Sequence, residues 1–383
     1  MIPYDYKKYF ERDFNVAKFF GCWVNDGRAE SKYYKYYFVM VNLFFIVLYN
    51  IILTIEWFAN SKSVKLFAQM GYVNLICTMG QVKSTFVFIH RSDFRNLVEL
   101  FNEDLFQPRN EAELTTLNHV LSVFSRFKRI LISLTCVSFT SSILTPLFYS
   151  KGDGLPLEAW YPFDLSVKMN FKLAYVHQGF CITYISFINM YSDVLVSGFA
   201  HFVGLQCDLL CLRLEAIRIG DYQEQKEKLV NCVHHYRLIL KFLKTTEKVF
   251  GKIYFGQLFA STTALCMDLF LLSLTEPKTF EFFYLVVYLL AVANLLLVPC
   301  WFSTEMTRKS ENIPFAAYSC DWVDSSNSFK KELIFFIRRA QRPLKFYAVD
   351  FFEISVETFV KIIRTSLSYY AVLNNLNMEE KYY

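Results

Sequence analysis

EFFYLVVYLLAVANLLLVPCWF, residues Glu281–Phe302, is an apolar run of 22 residues whose one charge stands at its first position. As a helix rising ~1.5 Å per residue it is about 33 Å long, enough to cross a hydrocarbon core of ~30 Å. Lipid offers a backbone no hydrogen bonds, so such a run spans as a helix. Six more runs read the same way: Tyr36–Phe58, Val64–His90, Ile130–Tyr149, Leu173–Phe199, Ile253–Leu274 and Val349–Leu376. The apolar fraction of 54%, with 41 Phe and 25 Tyr, fits one all-α membrane domain of seven transmembrane helices over residues 1–383. No linker, internal repeat or separate soluble domain interrupts it.

The connections alternate in charge. Segments 1–35, 91–129, 200–252 and 303–344 together hold 29 of the 40 Lys and Arg residues, whereas the opposite set holds six. Basic residues accumulate in cytoplasmic loops. The expected topology is therefore a cytoplasmic N-terminus and an extracellular C-terminus. Met1–Phe20 has no apolar centre and is not read as a signal peptide. The net charge of +5 comes without base-reading motifs; it fits anionic membrane lipid and not nucleic acid. None of the ten cysteines falls in an expected outer loop, which argues against disulfides. Cys207 and Cys211, one helical turn apart, read as a packed pair and not a metal site.

Tyr4–Gly21 mixes aromatic and basic residues at near-helical spacing. It reads as a helix in the headgroup plane or one packed on the cytoplasmic bundle. Lys83, near the inner end of the second span, is expected to snorkel to the interface or to face protein, with snorkelling the simpler reading. The Gly- and Pro-containing loop 150–172 is expected to cover the outer mouth. Segment 200–252 reads as two amphipathic helices broken near Gly220–Asp221, extending the fourth and fifth spans into the cytoplasm as an anchor. In segment 303–344, Phe329, Leu333, Phe336 and Ile337 form one stripe. Asp324 or Ser325 is the expected cap and Pro343 the stop. The last helix is expected to begin near Lys345 and occupy 345–376.

Enzyme motifs are missing: no Gly-rich phosphate loop, no Gly-x-Ser-x-Gly and no His-Glu-x-x-His. No cofactor site is expected. His234 and His235 are adjacent, point apart on a helix and read as packed or surface residues. Asp193 and Asp268, each alone in an apolar span, are functional candidates or structural hydrogen-bonding groups. In the last helix Ser355, Phe359, Ile362, Ser366, Tyr369, Val372 and Leu376 step by three or four, either a packing face or a hydroxyl-and-apolar pore lining. The outer halves of the middle spans hold sparse polar and aromatic groups: Met70, Val73, Asn74 and Cys77 in the second span, Ser138, Ser142 and Thr145 in the third. The fourth adds Phe180, Tyr184 and Phe187, and the sixth Tyr284 and Tyr288. A site for a small, mostly apolar ligand has this composition, and so does helix packing in lipid.

Certain motifs go further. Ala316-Ala317-Tyr318-Ser319-Cys320-Asp321-Trp322 is followed by Arg338-Arg339-Ala340-Gln341-Arg342-Pro343 and then by Ser366-Leu367-Ser368-Tyr369-Tyr370 with Leu373. Together with Leu212-Arg213-Leu214, Cys232-Val233-His234-His235 and Phe259 through Cys266, this order resembles the insect odorant receptors. The resemblance implies an odorant-gated, non-selective cation channel of the plasma membrane. It implies a tetramer in which a tuning subunit binds a small volatile beside shared co-receptor subunits. It also implies a ligand pocket among the second, third, fourth and sixth helices, which hold the twelve residues named above. The last helix would line the pore at Ser366 and Tyr369, with Val372 and Leu376 as its gate. The short segment between the fourth and fifth spans, and the residues continuing past Leu376, indicate a tuning subunit and not the co-receptor. The alternatives are a gustatory-type receptor, whose Thr-Tyr and Gln-Phe pattern is not matched at Ser368-Tyr369 and Asn375-Leu376, or a G-protein-coupled receptor. The latter requires an outside N-terminus, against the charge count.

Overall fold

Residues 188–207 are buried without a break. The helix that carries them has neither a lipid nor a water face there, so it forms the centre of the bundle. The computed structural model describes residues 4–6, 15, 32–60, 63–149, 154–218, 222–350 and 352–380. Its first helix, α1, runs through Lys32–Asn42, a π-helical turn at Leu43–Val47 and Leu48–Asn60. Then come α2 (Val64–Ile89), α3 (Arg91–Leu100), a 3-10 turn (Asp104–Phe106), α4 (Glu111–Tyr149), the central α5 (Lys168–Glu215) and α6 (Tyr222–Leu274). The chain ends with α7 (Phe280–Ser310), α8 (Ile313–Tyr318), α9 (Asn327–Ala340), strands β1 (Tyr347–Ala348) and β2 (Phe352–Glu353), and α10 (Val356–Glu380).

Each of the seven expected spans lies largely within one long helix, α1, α2, α4, α5, α6, α7 and α10 in turn. Four stretches meet a strict length-and-hydropathy standard by themselves: Tyr36–Asn60, Lys168–Glu215, Tyr222–Leu274 and Phe280–Tyr318. The other three are α2, α4 and α10, whose apolar parts share a helix with polar or charged residues. α5 and α6 continue beyond their apolar runs into segment 200–252, where the sequence placed two helical extensions, and α4 also runs on through the basic segment that precedes its apolar run. The break near Gly220–Asp221 falls on residues outside those described, with α5 ending before it and α6 beginning after it. Tyr4–Gly21 is described only at Tyr4–Tyr6 and Asn15. There the buried Tyr6 hydroxyl donates to the Phe106 carbonyl at 2.9 Å.

The anchor is held by a polar knot. Arg213 of α5 forks onto Glu113 of α4, with Nε–Oε1 at 3.1 Å and Nη2–Oε2 at 2.8 Å. It also donates to the Leu105 and Gln107 carbonyls at 2.6 and 2.7 Å. His235 of α6 accepts from Arg213 at Nδ1 (3.2 Å) and donates from Nε2 to Gln206 (2.9 Å). A ring that accepts on one nitrogen and donates from the other is neutral. His234 is exposed, so the adjacent histidines do point apart. All nine described cysteines are free.

Three expectations change. Lys83 does not snorkel. It is fully buried, and its Nζ lies 2.8 Å from Asp193 Oδ1. The Tyr254 hydroxyl donates to the same oxygen at 2.7 Å. A carboxylate on α5 and a phenol on α6 make burial cheaper than bending the lysine stem to the interface. α9 is capped by Ser326, whose hydroxyl accepts from Phe329 N at 3.2 Å, not by Asp324 or Ser325. The last helix begins at Val356, not near Lys345, because a hairpin intervenes. Tyr347 pairs with Glu353 and Ala348 with Phe352. Val349 and Asp350 turn the chain at φ 55° and 64°, costly for a β-branched residue. Packing offsets that cost: a Cβ at Gly251 would come within 3.1 Å of the Tyr347 carbonyl, so a bare α6 backbone lets the hairpin dock. Ser355 then caps α10, accepting from Thr358 N at 3.3 Å.

The buried ion pair yields a prediction. Lys83→Met alone should cost about 3–5 kcal/mol by stranding Asp193, whereas Lys83→Met with Asp193→Leu should recover most of it. Thermal unfolding of the detergent-solubilised receptor measures both; a double variant as weak as the single one refutes the pairing as the cause.

Candidate ligand-binding cavity

Four helices surround a partly open space in the half of the bundle that faces away from the anchor. α2 contributes Val73, Ile76 and Cys77, and α4 contributes Thr135, Ser138, Phe139 and Ser142. α5 contributes Ile182, Ile185, Ser186 and Asn189, and α7 contributes Tyr284, Tyr288, Ala291, Val292 and Leu295. Each set steps at helical spacing, one stripe per helix. The space measures about 80 Å³, room for roughly two or three waters at ~30 Å³ each. Its wall is mostly apolar, with a few hydroxyls and one amide, the composition of a site for a small organic molecule.

The loop before α5 supplies the lid. Leu157 reaches the cavity from outside. Gln178, fully buried on α5, holds it as a neighbouring strand would. Leu157 N donates to Gln178 Oε1 and Gln178 Nε2 donates to the Leu157 carbonyl, both at 3.0 Å. The expected cover is thus present at Leu157. A second, outer cavity of about 240 Å³ shares Val73, Leu157 and Tyr284 with the inner one. Gln69, Glu158 and Glu281 make it more polar. Burial, and then the charge of Glu56, push the Glu158 carboxyl above its ordinary range.

Six of the twelve candidate pocket residues line the inner cavity: Val73, Cys77, Ser138, Ser142, Tyr284 and Tyr288. Tyrosine hydroxyls brace its outer edge. Tyr72 donates to Tyr284 at 3.3 Å, and Tyr288 donates to the Tyr72 carbonyl at 3.4 Å. Met70 lines the outer cavity instead. Asn74 turns toward α1, where its amide donates to Thr54 at 3.2 Å. The Thr145 side chain lies outside the described residues.

Phe180, Tyr184 and Phe187 line neither cavity. Phe180 is 62% exposed. Tyr184 packs on Phe45 of α1 at 5.7 Å between rings, and Phe187 on Phe139 at 5.7 Å. At ~100° per residue this stripe lies about half a turn from Ile182, Ile185, Ser186 and Asn189. The stripes on α4 and α7 could have been extended from the residues already singled out by steps of three and four. On α5 no such signal exists, because the helix is apolar or buried on every side. Of the lone carboxylates, Asp193 is the paired group already described. Asp268 is buried, lines neither cavity, and has no hydrogen-bond partner among the described residues.

On α10, Ser366 does not face open space. It is fully buried and donates to the Thr262 carbonyl of α6 at 3.0 Å. Ile362 is buried too, while Tyr369 and Val372 are 54% and 56% exposed. Steps of three and four drift around a 3.6-residue helix, so one stripe passes from a packed face to an open one. The Leu376 side chain is outside the described residues. Lys361 and Arg364 are exposed, and Lys361 pairs with Glu357 at 2.7 Å.

The family model described as 7tm Odorant receptor matches residues 63–367. Odorant receptor 46a, isoform A, of Drosophila melanogaster is 22% identical over 349 residues, covering 89% of this chain and 90% of its own. Odorant receptor 2a of the same fly is 22% identical, covering 90% and 91%. Among solved structures, the olfactory receptor OR5 from Machilis hrabei in complex with eugenol superposes with a TM-score of 0.88 at 19% identity, covering 97% of this chain and 98% of that one. The seven long helices are therefore those of the insect olfactory receptor fold, and the chain belongs to the 7tm odorant receptor family.

Proposed function

We propose that this receptor is the odorant-binding, tuning subunit of a ligand-gated cation channel. It works in the plasma membrane with its N-terminus in the cytosol, beside co-receptor subunits in a tetramer. The inner cavity carries this reading: it is small, mostly apolar, covered on one side by Leu157, and lined by one stripe from each of four helices. A small volatile enters through the outer cavity, past the shared Val73, Leu157 and Tyr284. It opens the channel only by fitting the open arrangement better than the closed one. A difference of ~1.4 kcal/mol changes that equilibrium tenfold.

The pore belongs to the outer part of α10. Val372 and Ser368 are exposed there, turned about a third and nearly half a turn around the helix from the packed Ser366. We assign Val372 and Leu376 to the gate, with Tyr369 at the edge of that face, and leave Ser366 to packing. The OR5 complex with eugenol supports the class of ligand, since that relative holds a small aromatic volatile.

Current recordings with a co-expressed co-receptor test both sites. Ala291→Phe, which fills the inner cavity, should raise half-maximal odorant concentrations at least ~tenfold with ion permeation unaltered. Val372→Ala should change permeation or basal current and keep the ligand order. Exchange of these two phenotypes overturns the assignment. An epitope at Met1 should be reached by antibody only after permeabilisation; staining of intact cells excludes the proposed topology.

A further inference from the structure

Asn189 stands in the wall of the inner cavity and is 2% exposed. Its amide hydrogens are engaged on the protein side. Nδ2 donates to the Ile76 carbonyl of α2 at 3.2 Å and to the Ile185 carbonyl at 3.3 Å. Gly80 permits this approach, because a Cβ there would come within 3.0 Å of Nδ2. The same bonds fix the amide's orientation: reversed, it would set its oxygen against two carbonyl oxygens. Oδ1 is left with no hydrogen-bond partner among the described residues. A buried acceptor without a donor carries a desolvation penalty that a bound donor removes. Of the other lining residues, Ile76, Ile182, Ile185 and Val292 have no side-chain donor, and the hydroxyls of the wall, that of Ser186 one turn away included, do not reach Oδ1.

We propose that Asn189 Oδ1 sets ligand choice in the inner cavity by accepting a hydrogen bond from a neutral hydroxyl-bearing volatile, an alcohol or phenol. The proposal rests on the inner cavity being the ligand site. An ether of equal size fills the same volume but brings no hydrogen. It also displaces any water that could serve the acceptor, and such a displacement loses affinity. Carbon skeleton then determines fit, and the hydroxyl determines orientation.

Isomer pairs test this, because members of a pair have one composition and nearly one volume. The probes are benzyl alcohol against anisole, and hexanol against methyl pentyl ether, with currents recorded from the receptor beside a co-receptor. Each alcohol should reach half-maximal response at about tenfold lower concentration than its ether, ~1.4 kcal/mol. In Asn189→Leu that ratio should fall toward one, whereas Ala291→Phe should weaken both members of a pair alike. Equal potency of alcohol and ether in the unaltered receptor overturns the proposal, and needs no variant to fold. So does a ratio that persists in Asn189→Leu at the cell surface, and so does silence to all four probes. If Ala291→Phe weakens neither member, the inner cavity is not the ligand site and the broader functional reading fails with it.

Discussion

Between residues 188 and 207, α5 is buried on every side, and the polar side chains that orient the bundle are answered there by neighbouring helices. Asp193 is answered by Lys83 of α2 and Tyr254 of α6. His201 is answered by the Val120 carbonyl of α4 at 2.9 Å, and Gln206 by His235 of α6. Just beyond, Arg213 meets Glu113 of α4. These bonds are directional, and helices packed only by apolar contact could rotate or slide at small cost. Together they set the rotation and depth of α2, α4 and α6 around α5. The cavity is what remains between helices held in that register.

That dependence explains which parts of the molecule were legible in its sequence. Hydropathy and charge accumulate along the chain, so the seven spans and the basic anchor segments could be read from it directly. Periodicity located the stripes of α2, α4 and α7, where Val73 and Cys77, Ser138 and Ser142, and Tyr284 and Tyr288 line one space. The partners of α5 were not legible. Lys83 and Asp193 stand 110 positions apart, and each alone looks like an isolated charge in lipid. Only the packing of α2 on α5 reveals a pair. The same absence of a polar face on α5 hides which side fronts the cavity, so the sequence points to Phe180 although that side chain is largely exposed.

The last helix failed for a different reason. A run of β-branched and aromatic residues from Phe346 to Ile354 suits a strand as well as a membrane helix, and hydropathy cannot separate the two. The turn at Val349 and Asp350 decides for the hairpin, stabilised by a contact on Gly251 that no local pattern announces. The hairpin sets where α10 starts and hence its rotation. Ser366 consequently faces Thr262, and the open arc falls to Ser368 and Val372.

Asn189 and Asp193 occupy successive turns of the same face of α5, and their contrast bears on how a ligand site can lie beside a rigid core. Asp193 receives hydrogens from two helices on one oxygen, and that locks α2 and α6 to α5. Asn189 spends its own hydrogens on α2 and α5 and keeps its oxygen unpaired at the cavity wall. Lys83 spans the two turns, reaching the Asn189 carbonyl at 3.4 Å as well as the Asp193 carboxylate. On the reading proposed above, a donor supplied by a ligand would meet an acceptor whose position is already fixed, one helical turn from an ion pair, and little ordering of the protein would have to accompany binding. Preorganisation of this kind would let a molecule with few atoms be distinguished by a single hydrogen bond.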